Sequence, residues 1–195
     1  MRIVAGKHRG RRLLSPSGDS VRPSAERLRE ALFNIVAGHI EGARVLDLFA
    51  GTGALGLEAL SRGALKATFV EKDPRTCRIL QDNIAALHEE GQTRLLGADA
   101  IKALSLLQGE RAQFDLIVAD PPYHLLAPHQ GQLSCELILL LTRIEEGELL
   151  AAGGELFIEA PAAKEEPEPP SFGRLKWVRT RRYGGSLLLH FICPA

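Results

Sequence analysis

Long apolar runs are missing from this 195-residue chain: the longest, Leu137 to Leu141, falls far short of the roughly 20 residues needed to cross a bilayer. The opening residues Met1-Arg-Ile-Val-Ala-Gly-Lys-His-Arg-Gly also lack the apolar stretch and cleavage site of a secretory leader, so a cytoplasmic location is expected. Cysteine is scarce. Cys77, Cys135 and Cys193 are far apart and show no C-x-x-C spacing, which argues for reduced thiols and against a disulfide framework or a zinc site. Repeats and low-complexity tracts are absent too. What is present is 45% hydrophobic residues, enough at this length for one well-buried core and a modest extension.

Net charge is also lacking, since 24 basic residues balance 24 acidic ones, but that balance conceals segregation. Arg2, Lys7, Arg9, Arg11, Arg12, Arg22, Arg27 and Arg29 crowd the first 30 residues against Asp19, Glu26 and Glu30. Arg174, Lys176, Arg179, Arg181 and Arg182 stand near the other end with no acid after them, and the middle of the chain is acidic. Basic segments brought together by folding would attract a polyanion by releasing its counterions.

Residues 1–40 read as a basic extension. Arg2-Ile-Val-Ala-Gly and Arg11-Arg-Leu-Leu form the arms of a small hairpin around Lys7-His-Arg-Gly, and Pro16, Gly18 and Pro23 then break regular structure. A helix follows, with Ser24 as its expected N-cap, Leu28, Ala31, Leu32 and Ile35 on one face, and Gly38 as its stop. From residue 41 to 195 the pattern changes to short apolar strands that each lead into a helical stretch, the signature of a parallel sheet. Strands are expected at Val45 to Phe49, Ala67 to Glu71, Thr93 to Leu96, Phe114 to Ala119 and Gly154 to Glu159. Pro161 to Pro170 reads as an exposed connection, and Leu175 to Arg182 and Ser186 to Ile192 form a closing hairpin across Tyr183-Gly-Gly. The fold class is therefore α/β, with a mostly parallel, seven-stranded, Rossmann-like sheet ending in an antiparallel pair.

Asp47-Leu-Phe-Ala-Gly51-Thr-Gly53-Ala-Leu-Gly56 carries G-x-G-x-x-G between a strand and a helix, where glycine lets the backbone turn tightly beside a ligand. By itself this loop serves dinucleotides and S-adenosylmethionine alike. Glu71, twenty residues after Gly51 at the end of the second strand, suits a ribose in either ligand. Asp47 shifts the balance, because a carboxylate there would attract the ammonium of a methionine moiety and repel a pyrophosphate. Asp99, after the third strand, could accept a hydrogen bond from an adenine amino group.

Asp120-Pro121-Pro122-Tyr123 ends the fourth strand. An exocyclic amine on a base is a poor nucleophile because its lone pair is delocalised into the ring. Accepting both of its N–H bonds, with the Asp120 carboxylate and the Pro121 carbonyl, would turn that lone pair outward as the nitrogen becomes tetrahedral. The two prolines stiffen the carbonyl, and Tyr123 could stack on the base. His124 and His129 follow the motif, and neither is assigned a role.

These residues resemble the class I S-adenosylmethionine-dependent methyltransferases, in their amino-methylating branch with [N/D/S]-P-P-[Y/F/W]. Arg2-Ile-Val-Ala-Gly, Gly10-Arg-Arg-Leu, Arg22-Pro-Ser-Ala-Glu-Arg-Leu-Arg-Glu-Ala-Leu-Phe-Asn34 and the glycine loop, with Arg182-Tyr-Gly-Gly-Ser-Leu-Leu near the end, narrow the match. They look like the bacterial family that methylates N2 of guanine 966 of 16S ribosomal RNA. The resemblance implies that Asp47, Gly51, Gly53, Glu71 and Asp99 line the S-adenosylmethionine site and that Asp120 to Tyr123 line the target-base site. It makes residues 41–195 the methyltransferase domain. The RNA-facing surface would be the basic extension, with Lys7, Arg9, Arg11, Arg12, Arg22, Arg27 and Arg29. The implied partner is ribosomal RNA or the small ribosomal subunit, and a monomer is expected. An adenine-N6 methyltransferase stays open, since the tetrapeptide reads an amino group and no particular base. A nicotinamide-dependent oxidoreductase would leave Asp120 to Tyr123 without a role, and a non-catalytic RNA-binding factor would bind RNA without needing Asp120.

Overall fold

The computed structural model describes residues 1–16, 23–122, 133–162 and 172–195, the side chains of residues 23–25 excepted. Among them are five α-helices, α1 (Pro23–Ile35), α2 (Ala54–Ser61), α3 (Pro74–Leu87), α4 (Ala100–Gly109) and α5 (Cys135–Glu146). The strands are β1 (Arg44–Leu48), β2 (Lys66–Val70), β3 (Thr93–Leu96), β4 (Phe114–Ala119), β5 (Leu150–Pro161), β6 (Lys176–Tyr183) and β7 (Ser186–Ile192). They lie in the order β3-β2-β1-β4-β5-β7-β6, which is the mostly parallel sheet with a closing hairpin expected from the sequence. None of the described helices is long and apolar enough to cross a membrane.

The chain divides into two compact units, Met1–Ala100 and Ile101–Ala195. In the first, β1 pairs in parallel with β2, from Arg44 opposite Lys66 to Leu48 opposite Val70, and β2 pairs in parallel with β3. Leu46, Leu48 and Phe69 from these strands, Leu57 and Leu60 from α2 and Leu80 from α3 are fully buried. Asp73 caps α3 by accepting the Thr76 amide at 2.8 Å, and Pro74 opens the helix, where a missing N–H costs nothing. In the second unit, β4 runs parallel to β5, while β7 pairs antiparallel with both β5 and β6. Burial of Ile117, Leu141, Leu156, Phe157, Leu187, Leu189 and Phe191 makes its core.

β1, β2 and β6 lie one residue from their expected bounds, and three further expectations shift. The N-terminal hairpin forms, but as one antiparallel bridge between Arg2 and Arg12 with flanking bonds, Ile3 N–H to Arg11 O and Gly10 N–H to Ile3 O, both 2.9 Å. α1 is already helical at Pro23, so Ser24 lies inside the helix and not at its cap; proline's fixed φ suits a first helical turn. β5 begins at Leu150, ahead of the expected Gly154, because Gly153 at φ +77 bends the strand without ending it and donates to Cys193 O at 2.7 Å. The expected connection at Pro161 to Pro170 lies almost wholly outside the described residues.

Candidate active site

The glycine loop leaves β1 through Phe49 at φ 61, a left-handed conformation that costs energy in any residue with a Cβ. Gly53 takes φ +84, which favours glycine, and a Cβ there would come within 2.3 Å of Leu80 Cδ1 on α3 and push that buried side chain aside. Having no side chain, Gly53 also cannot cap α2. Asp47 does so from a distance: it is 1% exposed, and its Oδ2 accepts the Gly56 amide in the first turn at 2.8 Å. The carboxylate expected to face a ligand's ammonium thus also holds the helix start.

Glu71 follows β2 directly and stands half-buried against the loop. Its Oε2 accepts the Gly51 amide at 3.0 Å and its Oε1 the Asp73 amide at 2.8 Å. The structure therefore brings Asp47, Gly51, Gly53 and Glu71 together through hydrogen bonds of the loop itself. Asp99 is exposed one residue before α4. The Thr76 hydroxyl and amide hold the Asp73 carboxyl below its ordinary value. Cys77 donates to Glu71 O at 3.3 Å; burial raises its thiol pKa, and the charges of Glu71 and Asp73 raise it further.

In the second unit Asp120 is exposed directly after β4, Pro121 is buried and Pro122 is exposed. Burying the first proline fixes the turn that carries the Asp120 carboxylate. Tyr123, His124 and His129 lie outside the described residues.

Of the basic residues expected to face RNA, Arg9, Arg12 and Arg27 are exposed. Arg11 is exposed and donates to Ala86 O at 3.3 Å, and Lys7 pairs with Glu89 at 2.8 Å. Arg22 lies outside the described residues. Arg29 departs from the expectation: it is only 4% exposed, donates to Arg2 O at 2.9 Å, and approaches Glu58 at 3.9 Å. Burial lowers its pKa while Glu58 and Glu26 work against that shift. Its position among Leu28, Leu32 and Phe33 on the buried side of α1 makes it a structural cation and removes it from the RNA-facing set.

Glu58, Ser61 and Asn83 were not singled out from sequence. Glu58, 0% exposed on α2, accepts the Val4 amide at 2.7 Å, the Ala5 amide at 3.0 Å and Arg62 Nε at 2.8 Å. Ser61 O accepts the Lys7 amide at 2.8 Å, and its Oγ accepts the His8 amide at 3.0 Å. The readable trace of these anchors is a polar residue on an otherwise buried helix face, which must find partners.

Over residues 1–192 the chain matches the family described as Conserved hypothetical protein 95. It is 37% identical to Ribosomal RNA small subunit methyltransferase D of Escherichia coli K12 over 171 residues, covering 88% of this chain and 80% of that one. It is 34% identical to YlbH of Bacillus subtilis 168 over 184 residues, 94% of each. The solved structure of yhhF from E. coli superposes with a TM-score of 0.81 at 32% identity, covering 100% of this chain and 98% of that one.

Proposed function

Since the chain belongs to the Conserved hypothetical protein 95 family, we propose that it transfers a methyl group from S-adenosylmethionine to the N2 amine of a guanine in 16S ribosomal RNA. The observation that carries this reading is Asp120-Pro121-Pro122 at the end of β4, in a chain so similar to a small-subunit methyltransferase D. S-adenosylmethionine supplies an electrophilic methyl group on a sulfonium. The residues present fit it. Asp47, Glu71 and Asp99 offer carboxylate acceptors, whereas the ammonium, ribose hydroxyls and adenine amine of that molecule are all donors. Gly51 and Gly53 would let the backbone approach it closely.

Toward the target, the Asp120 carboxylate and the Pro121 carbonyl would each accept an N–H of the guanine amine. This orients its lone pair and stabilises the positive charge that grows on nitrogen during attack. Tyr123 would stack on the base. Arg9, Arg11, Arg12 and Arg27 would hold the RNA through phosphates and leave the choice of nucleotide to the base pocket. A guanine already unpaired in a loop costs least to present.

The test is incubation with methyl-labelled S-adenosylmethionine and under-methylated small subunits, with free 16S RNA, tRNA and DNA in parallel, followed by mass spectrometry of the labelled nucleoside. N2-methylguanosine from the small subunit, lost in Asp120→Ala, is the expected result. N6-methyladenosine would replace the substrate while keeping the chemistry. No label in any substrate would overturn the methyltransferase reading.

A further inference from the structure

α3 buries Leu80, Asn83, Ile84 and Leu87 on one face. Asn83 is the polar member of that stripe and is only 1% exposed. A buried carboxamide is tolerated only when its bonds are made, and here they are made to two different segments. Asn83 Oδ1 accepts the Leu14 amide at 2.7 Å, and Nδ2 donates to Leu14 O at 3.1 Å, a two-bond clamp on the backbone of the N-terminal arm. The other hydrogen on Nδ2 goes to Thr52 O at 3.0 Å, between Gly51 and Gly53. Facing one N–H and two carbonyls, the side chain has its amide orientation fixed, and both of its donors are used.

No other side chain of this size makes that set. Aspartate would set a carboxylate against two carbonyl oxygens, and leucine would leave all three backbone groups without this partner. Glu58 and Ser61 also anchor the arm, but to the end of α2 away from the loop, whereas Asn83 binds arm and loop at once.

We propose that Asn83 is a positioning residue that couples the arm to the glycine loop, so that RNA seated on the arm sets the loop's hold on S-adenosylmethionine. The inference rests on the methyltransferase reading above and adds to it a link between the two ligands. Coupling of this kind is reciprocal, so the cofactor would tighten RNA binding by the same factor.

Two measurements test it on the intact chain. Hydrogen exchange reads the mechanical link without any ligand: the Gly53 amide, bonded to Ala50 O at 2.8 Å, reports the loop, and the Leu14 amide reports the arm. Asn83→Ala should speed exchange at both, whereas Ile84→Val, a conservative change next to it on α3, should leave their ratio to the other core amides unaltered. Calorimetry with S-adenosylhomocysteine reads the function. Small ribosomal subunits should tighten its binding to the unaltered protein about fivefold or more, and that gain should vanish in Asn83→Ala. Faster exchange at Leu14 alone, or an unaltered subunit effect in Asn83→Ala, would reduce Asn83 to an anchor of the arm and overturn the proposal. So would a subunit effect absent from the unaltered protein. If the unaltered protein bound no S-adenosylhomocysteine while the Gly53 amide still responded, the methyltransferase reading would fall and the mechanical link would stand.

Discussion

Replacing Glu58 by glutamine keeps its shape and removes its charge. One carboxylate oxygen serves Val4 N–H at 2.7 Å, and the other serves both Ala5 N–H at 3.0 Å and Arg62 Nε at 2.8 Å. In the amide one of these oxygens becomes an NH2 group, so at least one donor faces a donor, an unsatisfied contact worth about 1–3 kcal/mol. The remaining bonds lose their charge assistance. Arg29, 4% exposed and 3.9 Å away, loses its strongest electrostatic compensation for a charge that burial already disfavours. Breaking one side of a buried charged network costs about 3–5 kcal/mol, which at this chain length lowers Tm by about 6–20 °C. Differential scanning calorimetry measures the total, and hydrogen exchange locates it: the Val4 and Ala5 amides should lose protection before those of β1. A Tm within about 2 °C of the parent with both amides still protected would refute the claim that this carboxylate anchors the arm.

Asp120→Asn should lower kcat by about 100-fold or more while leaving S-adenosylhomocysteine affinity unchanged, because it weakens an acceptor whose charge matters as the amine becomes cationic; a kcat equal to the parent's would remove Asp120 from the chemistry. Arg27→Glu should reduce RNA affinity and the slope of its salt dependence without changing Tm, whereas Arg29→Met should lose about 1–3 kcal/mol of stability through the bond to Arg2 O and leave the salt slope alone. Alkylation should be slower at Cys77 than at exposed Cys135, with its pH midpoint above the ordinary thiol value of 9.0. Since folding raises the Cys77 pKa, the stabilisation it gives is complete below that ordinary value and is lost as pH rises through the folded one, and urea titrations between pH 8 and pH 11 would show the decline.

Most of the sheet was legible because β1, β2, β4 and β7 are short, largely apolar runs between turn residues, and burial leaves such runs few alternatives. β3, β4 and β7 match their expected bounds, while β5 runs longer because a positive-φ glycine inside a strand reads the same as one that ends it. The loop residues were legible for a different reason. The hydrogen bonds of Asp47, Gly51 and Glu71 span at most 20 positions, so their grouping follows from the strand–loop–helix order itself. Arg29, Glu58 and Asn83 were not, because their partners lie 27, 54 and 69 residues away and local sequence gives no register for the arm. Counting charges placed Arg29 with the RNA-facing cations, yet helix phase decides its role: with Leu28, Leu32 and Phe33 buried, position 29 must turn inward too. A cation on a buried helix face implies a buried acid facing it, and Glu58 on α2 is that acid.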